Sequence, residues 1–429
     1  MLDQSFSVEN FKRIIDSENR KGVYLEGRFF SDIAEINNKI RTCESDEKRK
    51  ELINEKDEKL NIALNKICQK VTAPDFKIEL EKRFIRDKDK PVYVTEDSPE
   101  CYFAIKQVQK NIYKLYSVKQ TNRNVIISQL INLLEDRMPK CVIRIDLKDF
   151  YESIPQVKLF NKIFNENLLN PLSKKIIRNI LDSYNKLCGN EQKIGIPRGV
   201  GISAYLSELY MEDIDNHINN MEDLVYYARY VDDMVLIFSP TANRRGEDYY
   251  KKIEEIVNEK YKLNFNKDKQ TIIELFDKNN SNSNVLEYLG YKITFGMGVI
   301  ITDLTENKIN KYKDRIEKAI DHYRYFRKIN EKKARKLLER RIRFLTGNTR
   351  LVNNKRNILI GIYFSNQHLT EIKNLEEIDK YLKDKINSFI KLPKLKERLQ
   401  KNSFVTGFKT KRFSPFRSNE LIDIMDIWK

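Results

Sequence analysis

The stretch "YYARYVDDMVLIF", Tyr226 to Phe238, places two adjacent aspartates inside an otherwise apolar, strand-like run. Strands are depleted in aspartate, and a charge beside a core is costly unless something compensates it. The run therefore reads as two short strands with Asp232 and Asp233 at the tip of their turn. A second strand-like segment, "CVIRI", ends at Asp146. If the two segments are neighbours, three carboxylates converge on one point. Three anions cannot share a site uncompensated, and a divalent cation resolves the conflict. Oxygen ligands without His or Cys favour Mg²⁺ or Mn²⁺. Two such ions about 3.5–4 Å apart form the phosphoryl-transfer clamp.

Composition narrows the alternatives. The five cysteines contain no Cys-x-x-Cys pair, and the three histidines, His217, His322 and His368, are scattered. Zinc sites and His-based triads are therefore not expected. No apolar run approaches the roughly 20 residues that span a bilayer. The N-terminus lacks a basic, then apolar, leader, so the expected location is the cytoplasm, with no membrane partner. The net charge is +17. Residues 301–429 hold 32 Lys and Arg against 16 Asp and Glu, so this segment carries +16 of it. A basic block beside a balanced one points to a polyanion such as nucleic acid.

Periodicity sets the layout. Residues 1–72 read as a charged helical region. Residues 73–140 contain a polar loop with a short extended piece, then helices ended by Pro139. Residues 141–300 alternate strands and helices around the glycine-rich loop "GNEQKIGIPRGVG", and residues 301–429 read as basic and helical. Separated strands interleaved with helices give an α+β fold.

These segments carry a resemblance to the reverse transcriptases. "YVDD" resembles their motif C, and "DLKDFYESI" resembles motif A, with Asp146 as its metal ligand. "GIPRGVGISAYLSELY" resembles motif B, "LNFNKDKQT" motif D with its lysine at Lys269, and "LEYLGYKI" motif E, the primer grip. All five stand in family order. The resemblance implies a right-hand polymerase: fingers at 73–140, palm at 141–300 with an antiparallel sheet, and a basic helical thumb and C-terminal region at 301–429. It implies two-metal transfer from dNTPs, with Asp146, Asp232 and Asp233 at the metals and Lys269 as general acid toward pyrophosphate.

Further roles follow residue by residue. Tyr151 matches the steric gate that excludes a ribose 2′-OH; Phe150 beside it is a core aromatic at the same nucleotide-binding turn. Gly199 allows close backbone approach to a nucleotide. Arg198 stands where glutamine is common, and either contacts template phosphate or nucleotide, or faces solvent. Lys119 and Arg123 are candidates for the triphosphate. Tyr288, Leu289 and Gly290 would position the primer end. Lys332, Lys333, Arg335, Lys336, Arg340, Arg341 and Arg343, on one basic helix, would track duplex phosphates.

Within the family, "YKLYSVKQTNRNVIISQL" and "RFLTGNTRLVNNKRNILIGIYFSN" resemble the bacterial defence-associated and abortive-infection group. That resemblance implies an antiphage role, a cognate noncoding RNA template, a DNA product, and a second copy or an accessory defence protein as partner. Template-independent or protein-primed synthesis keeps the same site. A retron enzyme is disfavoured: Val405-Thr406-Gly407 echoes that group, but no histidine lies between motifs A and B. A non-catalytic RNA-binding scaffold is disfavoured by the intact aspartates, Tyr151 and Lys269.

Overall fold

Capping chemistry starts the helices where the sequence offers it. Ser98 accepts from Cys101 N ahead of helix Pro99–Leu115, and Asn170 accepts from Ser173 N ahead of helix Pro171–Cys188. Each helix opens with proline, whose fixed φ suits the first position. Gly189 ends the second helix at φ +60°. The computed structural model describes residues 2–84, 90–118, 121–136, 138–189, 191–276, 283–296, 298–351 and 358–428. The chain divides into two compact units. The first comprises Met1–Arg20, Tyr24–Thr121 and Pro139–Phe276; the second comprises Lys21–Val23, Asn122–Met138 and Asp277–Lys429.

In the first unit, β1 (Leu80–Arg83) pairs antiparallel with β2 (Val92–Thr95). A four-stranded antiparallel sheet follows, from β3 (Lys140–Asp146), β4 (Leu224–Tyr230), β5 (Asp233–Phe238) and β6 (Thr271–Leu275), in the order β4-β5-β3-β6. Val142, Ile143 and Ile145 of β3 and Met234 to Phe238 of β5 are buried, each large apolar side chain contributing about 1.5–3 kcal/mol. The central position of β3 sets the register: Asp146 lies opposite Asp233, and Arg144 opposite Val235. Helix Ser203–Asn219 buries Leu206, Leu209, Tyr210, Met211 and Ile214.

In the second unit, β7 (Asn284–Tyr288), β8 (Tyr291–Gly296) and β9 (Val299–Leu304) form an antiparallel meander. β10 (Asn348–Leu351) pairs with β11 (Ile358–Gly361). This ribbon lies in a stretch that reads as mostly helical. Its core joins helices Glu306–Phe326, Glu331–Thr346 and Lys373–Phe389 through Ile316, Ile320, Leu338, Ile342, Ile378 and Leu382. Helix Arg123–Glu135, expected among the fingers at 73–140, belongs to this unit, where it packs on β8 and β9. Its buried stripe of Ile126, Ile127, Leu130 and Leu134 supplies the reason. No helix among the described residues is long and apolar enough to cross a membrane.

Candidate active site

β4 and β5 are joined by a two-residue turn, because Tyr230 pairs directly with Asp233. Val231 adopts φ +63°, a conformation that a β-branched residue holds only under constraint. Asp232 is the second turn residue. Its carbonyl accepts from Leu147 N at 3.0 Å, which fixes it beside the end of β3.

The three aspartates are compensated in three ways. Asp146 is 6% exposed and receives Lys269 Nζ at 3.0 Å and Asn266 Nδ2 at 3.3 Å, both on Oδ2. The Asn266 amide also donates to the Asp146 carbonyl at 2.7 Å. Asp233 is held by Arg144, whose Nε and Nη2 each donate at 3.0 Å. Arg144 precedes Asp146 by two residues, on the same face of β3, and reaches Asp233 diagonally across the pair. Asp232 has no ion-pair partner among the described residues. Burial and the neighbouring Asp146 carboxylate raise its carboxyl above the usual range, with Lys269 and Arg198 opposing. Burial also raises Asp233, with Arg144 opposing.

The three carboxylates are neighbours, since Asp146 and Asp232 both also raise Asp233, but they are not equivalent. Asp233 is turned to Arg144, and among the described residues no group of three His, Cys, Asp or Glu is placed to hold one ion. Asp146 and Asp232 do meet. An oxygen-only pair in which one carboxyl is raised by burial and by the other carboxylate, and has no ion-pair partner among the described residues, fits a hard divalent ion. These two residues could hold it, and Lys269 stands at the same carboxylate with its side chain 52% exposed.

The glycine loop departs from expectation. Arg198 is partly exposed and engaged by a carboxylate: its Nε and Nη2 donate to Glu152 at 2.9 and 3.0 Å. Glu152 also meets Lys90 at 3.5 Å, and Lys90 pairs with Asp149. The Arg198 guanidinium stands 5.7 Å from the Tyr151 ring centre. The room at Gly199, φ +100°, is taken by β2 rather than kept for a ligand: an added Cβ would lie 2.8 Å from Tyr93 O. Tyr93 N donates to Arg198 O at 2.7 Å, securing that approach. Burial pushes the Tyr151 phenol up, with the Ser207 hydroxyl beside it opposing. Phe150 is 2% exposed; it is a core residue and no part of a nucleotide surface. Lys119 lies outside the described residues.

The remaining candidates lie in the second unit. Tyr288 pairs with Tyr291, so Leu289 and Gly290 form a two-residue turn, both with positive φ, at 46° and 78°. That is the pattern of a type I′ hairpin. Arg123, expected at the triphosphate, instead holds this turn. Its Nε donates to Leu289 O at 3.0 Å, its Nη1 to Ser365 O at 3.1 Å, and its guanidinium stands 5.0 Å from the Tyr291 ring centre. Burial and then Arg123 pull the Lys308 ammonium down to about 7. In the unfolded chain the same group keeps its proton to about pH 10.5. The unfolded state therefore binds more protons between those values, and stability rises with pH from about 7 toward 10. Urea unfolding across that range is expected to show the rise, and Lys308→Met to flatten it.

The basic helix splits. Lys332, Lys333, Lys336 and Arg343 are exposed. Arg335 pairs with Glu331 at 2.6 Å, and Arg340 pairs with Glu420. Arg341 is 2% exposed, so it cannot track phosphates. Its Nε and Nη2 donate to Ile424 O and Asp423 O at 3.2 and 2.9 Å, closing the end of helix Ser418–Met425. Burial pulls its guanidinium down to about 10. Arg341→Met is expected to cost about 2 kcal/mol and to raise hydrogen exchange in that helix. The salt dependence of nucleic-acid binding should not change; a loss of affinity without a loss of stability would contradict this role.

Residues 99–293 match the family model described as reverse transcriptase (RNA-dependent DNA polymerase). Over that segment the chain is similar to the reverse transcriptases. That family comprises RNA-directed DNA polymerases, which are nucleotidyltransferases, and the α+β fold of this chain is the one expected for it. No curated protein matches the sequence. Among solved structures, apo telomerase from Candida tropicalis truncated from its C-terminal domain is 16% identical, with a TM-score of 0.35. The match covers 55% of this chain and 56% of that one. Telomerase from Candida albicans in complex with a fragment of telomeric RNA is 12% identical, with a TM-score of 0.34, over 86% of this chain and 68% of that one. Likeness at this level carries no weight for function.

The sequence did not single out three groups that shape the candidate site: Arg144, Asn266 and Arg229. Arg144 had a visible signal, since it shares a strand face with Asp146 at a spacing of two.

Proposed function

We propose that the protein is the reverse transcriptase of a bacterial antiphage system, acting in the cytoplasm on an associated noncoding RNA template. The observation that supports the chemistry is the meeting of Asp146 at the end of β3 with Asp232, which has no ion-pair partner among the described residues. The pair would hold Mg²⁺ or Mn²⁺, two ions in the full site, with Asp233 as support through Arg144. When bound, the ions supply charge neutralisation to the reacting phosphate and the attacking hydroxyl.

The chain's own residues do the rest. The primer 3′-hydroxyl gives up its proton to solvent, its oxygen bonds to the α-phosphorus of a dNTP, the bond from that phosphorus to the oxygen bridging it to the β-phosphate breaks, and pyrophosphate leaves. Lys269 gives the leaving group a proton. Tyr151 excludes the 2′-OH. The Leu289–Gly290 turn, held by Arg123, would grip the primer, and Lys332, Lys333, Lys336 and Arg343 would follow duplex phosphates. The antiphage role rests on the resemblance of the segments around motifs A and E.

Sequencing the nucleic acid that copurifies from cells tests this reading. A discrete RNA with complementary DNA is expected. DNA joined to protein, or without any RNA complement, would replace it with protein-primed or template-independent synthesis.

A further inference from the structure

Arg229, three residues before Asp232, is the most heavily engaged side chain near the aspartate turn. It is buried, with 7% of its side chain exposed. Nε and Nη2 donate to the two Asp215 oxygens at 2.9 and 2.7 Å. Nη1 and Nη2 donate to the two Glu208 oxygens at 3.1 and 2.8 Å. A fifth bond runs from Nη1 to the carbonyl of Val231 at 2.9 Å.

Glu208 and Asp215 stand seven residues apart on helix Ser203–Asn219, two turns along one face. That helix leaves the glycine loop. Val231 is the residue at φ +63°. A β-branched residue stays there only when its surroundings over-determine it. Two contacts supply that constraint: Arg229 on the Val231 carbonyl, and Leu147 N on the Asp232 carbonyl. Only a planar fork with five donors can serve two carboxylates and a carbonyl together.

We propose that Arg229 is a positioning residue that fixes the aspartate turn to the glycine-loop helix and so holds Asp232 in register with Asp146. The inference rests on the reading that Asp146 and Asp232 bind a divalent ion. Loss of the fifth bond lets Val231 relax to negative φ and turns the Asp232 carboxylate away from its partner.

The test uses the full-length protein, with Mn²⁺ binding followed by electron paramagnetic resonance in the absence of nucleic acid. Single-nucleotide incorporation and thermal unfolding accompany it. Arg229→Lys keeps the charge but not the fork. It is expected to weaken Mn²⁺ binding roughly tenfold or more and to lower kcat with little change in the KM for dNTP. Glu208→Gln removes one side of the clamp and should move both in the same direction, less far; it serves if Arg229→Lys does not fold. Tyr227→Phe deletes the 2.6 Å bond from the Tyr227 hydroxyl to Asp215 and leaves the turn contact in place. It should lower Tm without moving the Mn²⁺ affinity. Unchanged Mn²⁺ binding in Arg229→Lys and Glu208→Gln, or an equal shift in all three variants, would overturn the proposal. Wild-type protein that binds no Mn²⁺ would remove the metal reading itself, and this inference with it.

Discussion

Asp232→Asn is expected to lower DNA synthesis about a thousandfold while leaving thermal stability equal or slightly higher. The two effects have one cause. The Asp232 carboxylate lies beside a buried Asp146 and lacks an ion-pair partner among the described residues, and both burial and that neighbour raise its pKa. Its charge therefore opposes folding, and removing it relieves repulsion. The same charge is what would attract the ions. Asp233→Asn should behave in the opposite sense. It removes the carboxylate charge and one of the two oxygens that accept from Arg144, at a cost of about 1–3 kcal/mol, with a smaller direct loss of synthesis per folded molecule. Primer extension normalised to folded protein, with thermal unfolding of each variant, separates the two. Equal losses of activity and stability in both would contradict the different roles assigned to them.

Tyr151→Ala is expected to relax sugar selection, raising rNTP incorporation relative to dNTP by roughly 10- to 100-fold, since a steric clash of this kind is worth about 1–3 kcal/mol. The ring is held in place by Phe150, 5.4 Å between ring centres, and by the Arg198 guanidinium. Because Arg198 is itself clamped by Glu152, the gate is stiff, and a smaller side chain would leave an open slot rather than a collapsed one. Competition of labelled rNTP and dNTP in single-turnover incorporation measures the ratio. A ratio unchanged by Tyr151→Ala would assign the ring to packing alone.

Much of this was legible in the residues, and the part that was not has physical reasons. The hairpin with its aspartates and the strand ending at Asp146 both follow from local pattern, where one element determines its own signal. Ion pairing does not. Nothing local to "GIPRGVG" says that Glu152, 46 residues earlier, takes Arg198, and nothing in "KNIYKLYSVKQTNR" says that Arg123 serves Leu289. Arg341 is different, because its fate was written in the spacing. Ala334, Leu337, Leu338, Ile342 and Leu345 form a buried stripe, and Arg341 stands inside it. Counting charges on that helix hid the face they were on. Asp233 shows the remaining case. Adjacent carboxylates suggest one equivalent pair, but Arg144, two residues before Asp146 on the same face of β3, reaches diagonally to Asp233 and gives it a protein cation.

The most direct measurement is extension of a DNA primer on an RNA of defined sequence by the purified full-length chain, with dNTPs and Mg²⁺ or Mn²⁺, read by sequencing the product. Product complementary to the RNA, lost in Asp146→Asn and Asp232→Asn, is the expected result. Product whose sequence ignores the RNA, or synthesis that survives both substitutions, would contradict it.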